Sequence, residues 1–475
     1  MTEAPASAGP PAQPLWTSGE IAAATGGRLA GEAFAVTGVG IDSRASEAGE
    51  LFVALAGVRD GHGFVPAARA RGAAGALTTR PVEGSCIVVE DTLEGLRHLG
   101  EAARVRARKA RRGAVTGSVG KTSVTQAVRA GLDRAGDAHG SVKSYNNHIG
   151  VPLSLARMPA GTRRAIFEIG MNHADEITPL SLMVRPHAIA ITTVEAVHVE
   201  NFPDGEAGVA RAKAEILDGL EPGGQAILNT DNRWFDFLKV EARRRGARVR
   251  GFGRAGCADA RLIRFAPAPG GASVEARIDA KRVEFPIRQS APHWGPMSLC
   301  ALLMMRALDV DLEVGLAALA AFEPLQGRGV ERALAGPRGR FLLIDESYNA
   351  SPVSVAAALT NLGGRAAKGR RIAALTDMLE LGPDSAARHA ALAENVEAAG
   401  VDLGFCAGPL MKSLFDALPI SRRGGYAETA EILFPSLVEA VGQGDVVMVK
   451  GSRDSKAASL VEGLTALDAA AREGR

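Results

Sequence analysis

One run of residues, GAVTGSVGKTSVTQAVRAGL from Gly113 to Leu132, constrains the fold more than any other part of the chain. An apolar stretch leads into a glycine turn, and the turn leads into a helical pattern that begins around Lys121. That order describes a strand whose carboxyl end feeds a helix N-terminus, so it predicts a sheet with crossover helices. Gly117, Ser118 and Gly120 let consecutive backbone N–H groups converge on phosphate oxygens, the helix N-terminus adds partial positive charge, and Lys121 adds a full one. Thr122 is placed to offer its hydroxyl to Mg²⁺, and Ser123 follows it in the first turn. The complete GxxxxGK[ST] pattern wants a glycine where this chain has Val115, so the loop is a shorter GSxGKT variant. ATP with Mg²⁺ is the first inference.

Around this loop the chain divides into segments. Its 475 residues are enough for about three domains. Residues 1–15, rich in Ala and Pro, read as a disordered tail. Residues 16–110 alternate short apolar runs (LFVALAG, GALTTR, SCIVVED) with alanine-rich helical stretches and predict a small α/β domain. Residues 111–325 carry GAVTG, RAIFEIG, HAIAITTV and GQAILNTD between helices, the pattern of a mostly parallel sheet covered on both faces. Residues 326–475 carry RFLLIDES, RRIAALTD, VDLGFCAG and DVVMVKGS and predict a third, Rossmann-like domain.

Composition excludes several classes. Lys+Arg 55 against Asp+Glu 53 leaves +2, too little to draw the whole protein onto nucleic acid or an acidic membrane. The basic run RVRARKARR (104–112) lacks interleaved aromatics and reads as a solvated helix end. No stretch approaches the roughly 18 apolar residues of a membrane helix, and the N-terminus lacks the features of a signal peptide. Cys86, Cys257, Cys300 and Cys406 lie far apart with no CxxC pair, so a reducing cytoplasm is expected. GFGRAG (251–256) satisfies GxGxxG, but no packing helix follows, and a turn between strands is the better reading.

Three polar residues fall near the carboxyl ends of apolar strands, where open α/β sheets bind ligands: Glu168, His198 and, one short loop later, Lys213. Singly, each also has a plain reading as a solvated or hydrogen-bonded surface group. Together the strings TGSVGKTS, SYNNHIGVPLSL, EIGMNHADEI, VHVENF, ARAKAEIL, DESYNASP, DMLELG and VMVKGSR resemble the Mur ligase family in order and spacing over about residues 16–465.

The resemblance implies an N-terminal domain that holds a UDP-linked substrate, a central ATPase and a C-terminal domain that closes over the site. Thr122 and Glu168 are similar to the ligands of two Mg²⁺ ions, with His198 on the second, and Lys213 matches a lysine the family carries as a carbamate formed with CO₂. Asn146 and Asn147 resemble the segment near the γ-phosphate, and Arg328 an arginine that reaches ATP from the hinge. Ser43, Arg44, Asp60, Gly61, His62 and Phe64 (in DSR and DGHGF) are implied at the uridine diphosphate end. Asp345, Glu346, Tyr348, Asn349, Lys450, Ser452 and Arg453 are implied to complete the ATP and amine site.

The strings DESYNASP, DMLELG and VKGSR are similar to those of members that add D-Ala-D-Ala to UDP-N-acetylmuramoyl-tripeptide, and the DNPR motif of a sister activity is absent. The implied setting is cytoplasmic peptidoglycan precursor synthesis by a monomer, with no nucleic acid partner and no membrane insertion. Closure is expected near Pro324 to Arg328. The family's HNxxN segment reads HWGPM here, with Trp294 and Met297 for the asparagines, so adenine geometry is expected to differ more than chemistry. Alternatives are a sister ligase for another amino acid, a folylpolyglutamate synthase, or a regulatory P-loop switch that hydrolyses ATP without substrate.

Overall fold

The computed structural model describes residues 14–57, 59–141, 144–197, 199–268 and 270–473. His198 lies outside them. So does most of the N-terminal tail, but its last residue is ordered: Leu15 donates its N–H to Val36 and accepts from Arg106, because strand Trp16–Thr17 pairs with Ala35–Val36.

Besides that two-stranded pair, three larger sheets organise the described residues. In the first, strands run in the order Arg28–Ala30, Cys86–Val88, Gly75–Thr78, Glu50–Val53, Gly38–Gly40, parallel except for the opening pair. The nine-stranded central sheet begins at the edge strand Ala138–Gly140. It continues through Arg164–Glu168, Arg111–Thr116, Ala188–Ile191, Gln225–Asn229, Arg248–Gly253 and Ala260–Ala268, all in parallel register. Gly271–Ile278 and Lys281–Ile287 then extend it as antiparallel strands. Strand Ala188–Ile191 is buried along its whole length, as a sheet covered on both faces requires. The third sheet is parallel apart from its edge strand Val330–Gly336, which pairs antiparallel with Gly339–Glu346.

GFGRAG ends strand Arg248–Gly253, and the turn after it leads to the parallel neighbour Ala260–Ala268, so these glycines serve a strand connection. The expectation for the basic run holds for Arg108 and Lys109, which are exposed past the end of helix Thr92–Arg106, and is corrected for Arg106 and Arg112. Arg106 lays its guanidinium 3.4 Å over the Trp16 ring and donates to the carbonyls of Leu15 and Met158. Arg112 is buried and donates to the carbonyls of Ala110 and Val184. These cations satisfy orphan carbonyl groups where the first two domains meet, which a charge count along the chain does not reveal. One apolar cluster runs from Trp16 through Leu99, Leu153 and Phe167 to Leu228, continuous across those domains. The third domain has its own cores on the two faces of its sheet. Its freedom to move against the rest is the ordinary expectation.

Among the described residues no helix is long and apolar enough to cross a membrane, and all four cysteines are free thiols.

Candidate functional site

Strand Arg111–Thr116 has neighbours on both sides that come later in the chain, so the crevice where connections diverge opens at its carboxyl end. The glycine loop fills that crevice. Gly117 has φ +145°, and a Cβ there would lie 1.9 Å from Thr192 Oγ1, so only glycine fits. Helix Lys121–Ala135 then starts without any side-chain cap, which leaves its first N–H groups for a ligand. Ser118 is used structurally: its Oγ donates to the Glu195 carbonyl and accepts the Glu195 N–H, pinning the loop to the next strand's exit.

The loop faces a cleft of about 680 Å³ whose other wall comes from the third domain. Ser118, Gly120, Lys121, Thr122, Ser123, Asn146 and Glu168 line it from the central domain. Arg328, Glu346, Tyr348, Asn349, Lys450, Ser452 and Arg453 line it from the hinge and the third domain. A hydrogen-bonded chain crosses between them. Tyr348 Oη donates to Ser144 Oγ at 2.8 Å, Ser144 Oγ lies 3.1 Å from Thr122 Oγ1, and Arg328 Nη2 donates to that same Thr122 oxygen at 3.2 Å. The Arg328 guanidinium stacks 3.9 Å above the Tyr348 ring.

Charge in the cleft is concentrated and poorly compensated. Glu168 is buried. Its Oε1 accepts from Asn146 Nδ2 at 2.7 Å, and its Oε2 has no partner among the described residues. Lys121 Nζ folds back onto the Gly117 carbonyl at 2.7 Å, and burial pushes its pKa down while Glu168 acts the other way. Lys213, on helix Glu206–Ala214, is 3% exposed; burial first, and the charge of Lys121 second, hold its pKa well below the usual lysine value. Lys450 donates to the Asn349 carbonyl at 3.0 Å and lies 3.7 Å from Glu346, whose carboxyl burial pushes up.

Several sequence-derived candidates stand elsewhere. Asn147 Oδ1 accepts the N–H groups of Ile149 and Gly150 and so starts helix Gly150–Ala156, away from the cleft lining. Asp345 is buried and holds the N–H of Gly327 and the N–H and Oγ of Ser347, so it shapes the hinge. Ser351, by contrast, does line the cleft, and its Oγ caps helix Pro352–Gly363 by accepting the Ser354 N–H.

Ser43, Arg44, Asp60, Gly61, His62 and Phe64 belong to the first domain and do not line this cleft. Arg44 pairs with Asp42. Asp60 caps the short turn Gly61–Phe64 and, with the guanidinium of Arg80 as the main cause, its carboxyl is held well below the usual range. His62 Nε2 accepts the Thr79 N–H at 2.9 Å while Nδ1 faces Asp60 at 2.6 Å, which selects the neutral Nδ1–H tautomer. Phe64 is left exposed beside this turn.

The cleft also contains Asn229 and Asp231, which motif reading passed over and which stand at the end of strand Gln225–Asn229, together with His293 and Trp294 of the HWGPM segment at the start of helix Trp294–Ala307. The first pair had a signal, since polar residues just past a parallel strand sit on the ligand side of such a sheet.

Comparison with known proteins agrees with this architecture. Residues 35–119 match the Mur ligase family catalytic domain, 115–305 the Mur ligase middle domain, and 334–453 the Mur ligase glutamate ligase domain. UDP-N-acetylmuramoyl-tripeptide--D-alanyl-D-alanine ligase of Escherichia coli strain K12 is 33% identical over 92% of this chain and 96% of its own length. The crystal structure of MurF from Acinetobacter baumannii superposes with a TM-score of 0.84 at 26% identity, covering 96% of this chain and all of that one. MurF ligase from Thermotoga maritima, solved with ADP, shares the fold with a TM-score of 0.74 at 22% identity over 90% and 97% of the two chains.

Proposed function

The chain belongs to the Mur ligase family, and from that premise we propose that it joins D-Ala-D-Ala to UDP-N-acetylmuramoyl-tripeptide at the expense of ATP, in the cytoplasmic synthesis of peptidoglycan precursors. The observation that carries the reading is the single cleft in which an uncapped phosphate-binding helix start meets Arg328, Lys450 and Arg453 of the hinge and third domain. A carboxylate is a poor electrophile. Transfer of the γ-phosphoryl group of ATP onto it forms an acyl phosphate, and the dipeptide amine then displaces phosphate to leave an amide. Lys121 and the helix N-terminus stabilise charge that moves toward ADP, and Arg328 and Lys450 bring further positive charge to the same space.

The donor set fits Mg²⁺. A buried carboxylate oxygen with no partner among the described residues, Glu168 Oε2, and the Thr122 hydroxyl are hard oxygen ligands of the kind Mg²⁺ takes. Phosphate oxygens and water would supply further ligands, and the family resemblance adds His198 and a modified Lys213. Two such ions would neutralise phosphate charge and polarise the transferring group. Lys213 suits modification because burial, and then the charge of Lys121, disfavour its ammonium form: the free amine Nζ would add to the carbon of CO₂, an N–C bond forming as one C–O π pair moves onto oxygen and one proton leaves. The product is an anion where an ammonium would repel metal.

In the first domain the DSR and DGHGF turns would hold the uridine diphosphate end, with the exposed Phe64 ring offering a stacking surface. The cleft is complete within one chain, in keeping with a monomer.

The deciding experiment is phosphate release from ATP and Mg²⁺ with UDP-N-acetylmuramoyl-tripeptide and D-Ala-D-Ala, each omitted in turn, and with diaminopimelate in place of the dipeptide. Release that requires both substrates, with a product mass equal to their sum less water, supports the reading. Release indifferent to both would make the protein a hydrolytic switch, and release only with another amine would move it to a sister ligase.

A further inference from the structure

The cleft holds phosphates and base by different chemistry. Helix Trp294–Ala307 lies beside helix Lys121–Ala135, and residues at the start of both line the cleft. Met297 Sδ is 3.1 Å from where a Cβ on Gly120 would stand, so the two helix starts adjoin. On the other flank of the phosphate loop lie Asn146 and the Glu168 carboxylate. A nucleotide with its phosphates on the loop and its γ-phosphate toward Glu168 therefore directs its base to the wall formed by His293, Trp294 and Met297.

That wall has little with which to read a base edge. Trp294 is 4% exposed and packs 5.9 Å from Phe322, and Met297 beside it is apolar. The nearby polar side chains are turned toward main-chain groups of the protein. Asn229 Nδ2 donates to the Thr192 carbonyl and its Oδ1 accepts the Asp231 N–H, while the Asp231 carboxylate holds the N–H groups of Arg254 and Ala255. His293 remains, open to the cleft and without a side-chain hydrogen bond among the described residues. An ordinary imidazole is already mostly neutral above about pH 7, and enclosure by the cleft walls, then the charge of Lys450, push this one further the same way. A neutral imidazole has one donor and one acceptor, and a shift of its proton between the nitrogens exchanges them. It can face the amino group of adenine or the carbonyl of guanine.

Building on the reading of this cleft as the nucleotide site, we propose that His293, Trp294 and Met297 recognise a purine by apolar contact and one ambivalent ring, making the protein tolerant of GTP as well as ATP. A site built to hydrogen-bond one particular group rejects an analogue that lacks it by roughly 10⁴-fold or more, whereas an apolar site discriminates by about 10–200-fold. The two designs are separable by experiment.

Affinities of Mg-ADP and Mg-GDP for the full chain would be measured by calorimetry, and kcat/KM for ATP and GTP by phosphate release with both substrates present. Adenine-to-guanine ratios below about 200 in both assays are expected, with His293→Ala weakening ADP and GDP by similar factors. A ratio above that limit, or a His293→Ala variant that loses ADP affinity alone, overturns the proposal. Calorimetry needs no peptide substrate, so ADP binding without GDP binding defeats only the base inference. Failure of both diphosphates to bind defeats the nucleotide reading beneath it.

Discussion

Arg328 of the hinge and Thr122 of the phosphate loop, 206 residues apart in sequence, are joined by a hydrogen bond of 3.2 Å from the guanidinium to the threonine hydroxyl. The oxygen proposed to take Mg²⁺ is thus already contacted by a cation carried on the element that links the second and third domains. The same guanidinium stacks on Tyr348, so one side chain touches both the loop and the third domain. Arg328→Ala should lower kcat/KM for ATP by roughly 10²-fold, the size of effect when one preorganised donor is lost. Steady-state kinetics with ATP as the varied substrate checks this, and an unchanged kcat/KM would remove Arg328 from the site.

Lys213→Ala should abolish turnover, and a short-chain carboxylic acid should restore part of it by supplying the missing anion. Full activity in the unrescued variant would exclude a mechanistic role. Stability should move the other way. The unmodified amine has a folded-state pKa below its unfolded value, so the unfolded chain binds more protons and stability rises with pH through that interval. Lys213→Met, apolar and similar in length, is therefore expected to be inactive yet about 0.5–2 kcal/mol more stable at neutral pH, as measured by urea unfolding.

Two histidines set an acid limit on the fold. Buried His139 donates Nε2–H to the Ser154 carbonyl at 2.7 Å, and His187 Nδ1 accepts the Arg112 N–H at 3.1 Å; each is pushed down to about 4, mainly by burial. An unfolded histidine titrates near 6.5, so between about 6.5 and 4 the unfolded chain binds more protons and stability falls as pH falls. For His139 the loss is of order 3 kcal/mol across that window. His139→Gln keeps a donor without titrating and should flatten the acid limb of urea midpoints measured from pH 7 to 4.5. An unaltered limb would assign the effect to other groups.

Arg106→Ala should cost about 2–4 kcal/mol, because the guanidinium joins the Trp16 ring to two main-chain carbonyls where the first and second domains meet. Denaturant titration measures the loss. A variant within ~0.5 kcal/mol of the parent would restore the description of this run as a solvated helix end.

Closure should pivot at Gly327. Its φ is +73°, its N–H donates to Asp345, its carbonyl accepts from Tyr348, and an added Cβ would stand 2.9 Å from the Tyr348 Cβ. Gly327→Ala is expected to reduce kcat more than the affinity for ADP, since the strain falls on the hinge and not on the phosphate loop. Small-angle scattering should show the parent compacting when ATP and the UDP-linked substrate are added and the variant compacting less.

Much of this was legible along the chain. A strand that ends in a glycine turn and a helix is a local event, so the phosphate loop and the helix start at Lys121 could be read from residues 113–132 alone. Every quoted strand run in the three segments contains an observed strand, because apolar β-branched runs between turns need no distant partner to be recognised. Asn147 and Asp345 show the limit. Both belong to motifs that include cleft residues, yet one starts a helix and the other braces the hinge, since the direction of a side chain depends on the orphan N–H groups packed beside it.

The sequence by itself therefore determined the three-part α/β order, the phosphate loop and the family, all of which rest on short-range pattern. Only the tertiary structure decided that Arg106 and Arg112 are internal, that Thr122 meets Arg328 and Ser144 meets Tyr348 across a domain boundary, and that Asn229 and Asp231 line the same cleft. Those facts depend on which surfaces exclude water from one another. Burial and partner choice of that kind are properties of contacts between remote segments, and no window of sequence contains them.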